Sequence, residues 1–272
     1  MNKKWLFILL RISTLFVLVY VGLTAFLLSK ENAIMYWGRN NTGLMMHSIP
    51  KNFKEQTVFI KDGQILQYYE KTGTPNKPLV LYLGGNGEHA NLNLNWLNTV
   101  FPNNDVVAIN YPSYGESTGQ VGEKHIKPAL LEAIRNIAPG RPLIIVGRSL
   151  GSGYATWLTT ELPQTKKLIL ITPYNRISEV GCQRFGLFPD FICNHFMQNQ
   201  LDNGALISKI KIPTLIIYVE GDRTIPNENT FKLINQDKSA IVVKVTGSNH
   251  NSLLDSPTTI KAILDFNKLK LD

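Results

Sequence analysis

Two periods of hydrophobic and polar positions alternate along this chain. The runs TVFI (57–60) and ILQYYE (65–70) are separated by Lys61-Asp62-Gly63, a pattern that predicts a hairpin. Six further runs follow: LVLYL (79–83), VVAIN (106–110), LIIVG (143–147), LILIT (168–172), LIIYV (215–219) and IVVKV (241–245). They are short, β-branched and apolar on both faces, which suits the centre of a parallel sheet. Helical periods lie between most of them. In 123–138, Ile126, Leu130, Ala133, Ile134 and Ile137 fall on one face, and 149–162 and 256–270 behave similarly. A leading hairpin followed by repeated strand–helix units predicts an eight-stranded, mostly parallel sheet with helices on both faces.

The N-terminus follows neither period. From Trp5 to Leu28, Arg11 is the only charged residue, and Ile12 to Leu28 carries no charge. About 17–25 such residues cross a hydrocarbon core as a helix, and Arg11 near one end can reach the headgroups. The segment 1–30 is therefore expected to be an uncleaved membrane anchor. A cleaved signal peptide is the alternative, although Leu23 two residues before Ala25 makes a poor cleavage pattern. Residues 31–55 read as a linker, and 56–272 as one domain that should fold without the anchor.

Composition narrows the choice of partners. The 272 residues are 44% hydrophobic and 18% charged, enough for one substantial core. Of the net charge of +8, half comes from Lys3, Lys4, Arg11 and Lys30. The remainder is interspersed with acids and forms no basic stripe, so no nucleic-acid partner is expected. Lys3, Lys4 and Arg11 precede the apolar centre, which favours a cytoplasmic N-terminus. The domain would then be periplasmic or lumenal; a cytoplasmic-face domain, or secretion after signal cleavage, are the alternatives. Cys182 and Cys193, the only two cysteines, either close a small loop in an oxidising compartment or stay as buried thiols. No metal-ligand spacing is present, and no cofactor is implied.

The chemistry concentrates at strand ends. LIIVGRSLGSG (143–153) is a buried strand that ends in Gly-x-Ser-x-Gly and opens a helix. That context makes Ser149 the candidate nucleophile. Of five histidines, His47, His89, His125 and His195 read as packed or solvated. His250 follows the last strand, on the loop that returns to the same sheet edge as Ser149, and is the candidate base. Asp222 follows the penultimate strand at that edge and is the candidate acid. Glu220 is close but should turn toward the helices, and Asp255 is too near His250 in the chain. Ser117, in YPSYGESTG (111–119), lacks a following helix and reads as part of a strand-end loop.

These motifs, with YLGGNGE (82–88), NYPSYGES (110–117), EGDRTIP (220–226) and SNHN (248–251), resemble the serine hydrolases of the α/β-hydrolase superfamily. The resemblance spans Thr57 to Leu269 and points to the membrane-associated branch of Bem46-like proteins and ABHD13- and ABHD17-type acyl hydrolases. Gly84 and Asn110 stand where that family usually has His and Asp. The resemblance implies an α/β-hydrolase fold and an acyl-enzyme mechanism at Ser149, His250 and Asp222. It also implies an oxyanion hole from the backbone N–H groups of Leu150 and Asn86.

Such folds build a cap over the carboxyl edge of the sheet, here expected at about 174–211. Phe185, Leu187, Phe188, Phe191, Ile192, Phe196 and Met197 are candidates to line an acyl groove there, with Phe185, Phe188 and Phe191 as substrate contacts. The function expected is a membrane-anchored serine hydrolase of acyl esters or thioesters. Its substrate would be an acyl-bearing small molecule, a lipid or an acylated protein. A serine peptidase of the same fold and a non-catalytic binding protein are the alternatives.

Overall fold

The computed structural model describes residues 3–40, 48–186 and 188–269, with the backbone alone at Asn40, Phe185 and Asp190. His47 and Leu187 therefore lie outside the described residues. Eight strands form one sheet: β1 (Lys54–Phe59), β2 (Ile65–Lys71), β3 (Leu79–Leu83), β4 (Val106–Ile109), β5 (Leu143–Arg148), β6 (Thr165–Ile171), β7 (Thr214–Val219) and β8 (Ile241–Val245). Their spatial order is β1-β2-β4-β3-β5-β6-β7-β8. β2 is antiparallel to both its neighbours, and every pairing from β4 to β8 is parallel. The expected hairpin is present, with Asp62 and Gly63 both at positive φ in its turn.

The helices are α1 (Lys3–Ser29), α2 (Glu31–Met35), α3 (Leu94–Val100), α4 (Glu123–Ile137), α5 (Leu150–Glu161), α6 (Ile177–Phe185), α7 (Asp190–Phe196), α8 (Asn203–Ile207), α9 (Asn227–Ile234) and α10 (Pro257–Lys268). Alternation along each strand decides which helices it meets. Leu79, Leu81 and Leu83 of β3, with Leu143 and Ile145 of β5, pack against Leu130, Ile134, Leu158 and Leu233 of α4, α5 and α9. Val80, Tyr82, Ile144 and Val146 face the other way, onto Leu94 and Leu97 of α3 and Ile263 and Phe266 of α10. Burying each such side chain stabilises by about 1.5–3 kcal/mol.

Two buried lysines close helix ends in this core. Lys167 donates to the carbonyls of Phe266, Asn267 and Leu269 at 2.8–3.0 Å. Lys71 donates to those of Phe101 and Pro102 beyond α3. Carbonyls left over at a helix C-terminus attract such cations.

The structure gives residues 31–40, expected as linker, a definite place. The Glu31 carboxylate is buried and accepts from the backbone N–H groups of Gln198 and Asn199 and from Asn199 Nδ2 at 2.6–2.8 Å. Tyr36 is fully buried; its hydroxyl shares a 2.7 Å hydrogen bond with that of Tyr154 and donates to Asn199 Oδ1. Burial drives the Tyr36 pKa well above its ordinary value. Cys182 and Cys193 are bridged, with Cα atoms 6.0 Å apart, and so tie α6 to α7.

Candidate active site

The turn between β5 and α5 has no room for side chains at its glycines. A Cβ on Gly147 would lie 2.5 Å from both Ala155 Cβ and the Gly151 carbonyl oxygen. One on Gly151 would lie 2.1 Å from the Leu83 carbonyl oxygen. Ser149 between them is held at φ 51°, ψ −117°, a left-handed conformation that costs a non-glycine residue on the order of 1–3 kcal/mol. The surrounding sheet supports that cost, and Ser149 N–H donates to the Ile171 carbonyl of β6.

His250 and Asp222 meet Ser149 from the loops after β8 and β7. His250 Nδ1 lies 2.7 Å from Asp222 Oδ2, and Nε2 lies 3.1 Å from Ser149 Oγ. An ionised carboxylate only accepts, so Nδ1 carries the ring proton and Nε2 is left to accept from the serine hydroxyl. The other Asp222 oxygen accepts from Thr224 and Ile225 N–H at 2.7 and 3.0 Å, which fixes the carboxylate. The three side chains named from the sequence thus form one hydrogen-bonded row. Glu220 does not join it; it pairs at the surface with Lys244. Ser117 is buried and accepts from Gln67 N–H, and Ser152 donates to the Ser149 carbonyl. His89 is buried against the Gly38 carbonyl, and His195 bonds the Phe191 carbonyl on the exposed side of α7.

A second set of groups lies behind this row, and the sequence reading did not single it out. Arg148 is buried and pairs with Glu88. It also donates to the His250 carbonyl at 2.9 Å. Glu88 in turn accepts from Gly85 N–H and from the Tyr82 hydroxyl at 2.7 and 3.0 Å. One ion pair therefore joins the glycine loop, the serine turn and the histidine loop. A Cβ on Gly84 would lie 2.9 Å from a Glu88 oxygen, so the glycine at this position makes room for the carboxylate. Burial lowers the Arg148 pKa, opposed by Tyr82, Asp222 and Asp255. The Tyr82 pKa is raised to about 12, by burial first. Neutralising one member of a buried pair leaves the other charge uncompensated. Glu88→Gln is therefore expected to lower kcat on the order of 10²-fold by displacing His250 and the loop, with KM for a small ester changed less. Steady-state kinetics beside a thermal melt check this. A lowered melting point with normal kcat would leave the pair a structural role alone.

No family model matches the chain. Protein ABHD12B of Homo sapiens is 23% identical over 270 residues, covering 88% of this chain and 74% of that protein. Lysophosphatidylserine lipase ABHD12 of Danio rerio is 27% identical over 253 residues, 81% of this chain and 65% of that protein. Among solved structures, an α/β-hydrolase enzyme, MGS-M2, from a deep-sea metagenome library superposes with a TM-score of 0.65 at 16% identity, over 80% of this chain and 99% of that one. A bacterial membrane phospholipase A does so with a TM-score of 0.61 at 19% identity, over 99% of this chain and 100% of that one.

The chain has the α/β-hydrolase fold. The ABHD12 and ABHD12B names make its curated relatives ABHD-type proteins, without fixing the branch that the motifs suggested.

In this fold a cavity of about 630 Å³ opens at Ser149. Asn86, Leu150 and His250 line it beside the serine, and Ile177, Val180, Phe188, Ile192 and Met197 line the cap side. Phe191 departs from the expectation: it is not in the cavity wall but 60% exposed, because α7 turns Ile192 and Cys193 inward instead. Phe196 is likewise outside the wall and 62% exposed. The side chain of Phe185 lies outside the described residues. The remaining wall comes from an unexpected source, Thr24, Leu27 and Leu28 of α1, with Glu31, Ile34 and Met35 of α2. The segment after α1 also touches the glycine loop, since Gly38 N–H donates to the Asn86 carbonyl at 3.1 Å. Charged and aromatic residues at 31–40 carry no strand or long-helix period, so no pattern in the chain signals this docking.

Proposed function

We propose that this protein is a membrane-anchored serine hydrolase that cleaves the acyl ester or thioester of a single-chain lipid. The observation that carries this reading is the row Ser149–His250–Asp222 opening into a largely apolar-walled cavity of about 630 Å³. Ser149 Oγ attacks the acyl carbonyl while His250 Nε2 takes its proton. Asp222 holds the tautomer and stabilises the imidazolium. Leu150 N–H, at the start of α5, and Asn86 N–H receive the oxyanion. His250 then protonates the leaving alcohol or thiol. Water, activated by the same imidazole, releases the acid.

The cavity has room for a long acyl chain: a methylene takes up roughly the volume share of a liquid water, ~30 Å³, so a sixteen-carbon chain needs roughly 480 Å³ of the 630 Å³ present. The names of the ABHD12 relatives, lysophosphatidylserine lipases, agree with a single-chain substrate. A peptidase that grips a substrate amine needs a free carboxylate at the site. Here both acids of the cavity wall are engaged, Glu31 by Gln198 and Asn199 and Glu88 by Arg148 and Gly85. In the cap, Glu179 and Asp202 pair with Lys232 and Arg176.

The 27-residue apolar helix α1 anchors the domain. The Cys182–Cys193 bridge and the basic residues before the apolar centre support a domain on the oxidising side of the membrane. Labelling with a fluorophosphonate probe, followed by p-nitrophenyl esters of rising chain length, tests the reading. The expected result is a single labelled peptide containing Ser149 and turnover that extends to long chains. No labelling and no hydrolysis of any ester would overturn it.

A further inference from the structure

The cap does not sit clear of the apolar helix. Phe188, just before α7, meets Tyr20 of α1 with ring centroids 6.1 Å apart. Thr24, Leu27 and Leu28, one and two turns further on, form part of the cavity wall. The cap and the cavity are therefore level with the last three turns of α1.

Those turns are apolar on their open side as well. Val21, Leu23 and Phe26 are exposed, and the next charge in the chain is Lys30. Were the water boundary to lie at Tyr20, the stretch from Trp5 to Val19 would have to cross the bilayer alone. Its fifteen residues rise only about 22 Å. A hydrocarbon core of about 30 Å needs roughly 20 residues. Carried on to Leu28, the stretch is long enough. The length of α1 thus puts the cap contact below the water boundary.

The cap is equipped for that depth. α7 is seven residues long, about 10 Å, and starts beside the residue that touches α1. Phe191 and Phe196 project from it, 60% and 62% exposed, while Ile192 and Met197 face the cavity. Interfacial helices bury such faces about 5–10 Å into the boundary between headgroups and acyl chains.

We propose that the cap is seated in the outer layer of the bilayer, with Phe191 and Phe196 among the acyl chains. The cavity then receives its substrate sideways from that layer, at the seam between α1 and α7. The occupant of the exposed cap face is lipid. This inference rests on the proposed membrane and hydrolase reading, and its test separates the two.

The full chain is reconstituted in phosphatidylcholine vesicles whose acyl chains are brominated near the headgroup. Emission added by Phe196→Trp should be quenched by the brominated lipid. Emission added by Phe231→Trp, on α9, should not. In parallel, the double variant Phe191→Asp, Phe196→Asp should hydrolyse a long-chain monoacyl ester in vesicles about tenfold more slowly. Its turnover of a soluble short-chain ester should stay within about twofold of the parent. Unquenched Phe196→Trp emission would overturn the proposal, including where a second copy of the chain covers the ring. Equal losses on both esters would also overturn it, as would no loss on either. A parent protein that hydrolyses neither ester defeats the hydrolase reading, while the quenching result still decides where the cap sits.

Discussion

Replacing Ser149 with alanine is expected to abolish fluorophosphonate labelling and to lower ester turnover by about 10⁶-fold. Under the proposed mechanism the size follows from the loss of the attacking atom itself: His250 then has no hydroxyl to deprotonate, and only the oxyanion donors and substrate binding remain. The fold should persist, because the left-handed turn is held by the close approach of Gly147 and Gly151 to their neighbours and by the Ser149 N–H bond to Ile171. Peptide mapping of the labelled wild type, with circular dichroism of the variant, makes the comparison. Label retained by the variant would move the nucleophile elsewhere. Ser152 and Ser117 are poorly placed to inherit it, since each is committed to a backbone partner.

Asp222→Asn is expected to cost about 10⁴ in kcat with the domain still folded. The amide can present its NH₂ to His250 Nδ1 and so favour the tautomer with its proton on Nε2. That nitrogen then faces Ser149 Oγ as a donor and takes no proton from it. The imidazolium of the transition state also loses its counter-charge. Glu220→Gln serves as the control, because Glu220 is exposed and bonded to Lys244 at 3.0 Å. It should change turnover less than about twofold. Should Glu220→Gln prove the damaging change and Asp222→Asn the mild one, the acid has been misassigned.

How legible this molecule is from its sequence depends on the range of the contacts involved. The central strands are announced by their own residues: Leu79 to Leu83 or Ile144 to Val146 are apolar on both faces whatever surrounds them, whereas β1 also takes in Lys54, Glu55 and Gln56, and the edge strand β8 leaves Ile241 and Val242 exposed. Ser149, Asp222 and His250 are separated by long stretches of chain, yet topology brings them together because each follows a strand and strand ends share an edge. Glu88 and Arg148 give no such signal. A charged residue reads as surface until the partner that neutralises it is known, and these two are 60 positions apart with no periodic relation. The docking of Glu31 and Tyr36 onto Asn199 and Tyr154 was equally silent. The apolar helix α1 reads as separable from the domain because it precedes every strand, and no period in its residues signals that Thr24, Leu27 and Leu28 line the cavity.

The short stretch from Glu31 to Tyr36 has a further consequence. It leaves a single residue, Lys30, between the end of α1 and α2, whose first residue Glu31 and following residue Tyr36 are pinned inside the domain. A flexible tether would let the domain tumble and sample its surroundings in three dimensions. This one has almost no slack, so under the proposed membrane reading Ser149 is carried at one height and one tilt above the bilayer midplane. Its encounters with substrate then become two-dimensional. Turnover is governed by the mole fraction of substrate in the leaflet, and diluting the vesicles in buffer leaves each enzyme's rate unchanged, whereas diluting substrate with inert lipid slows it.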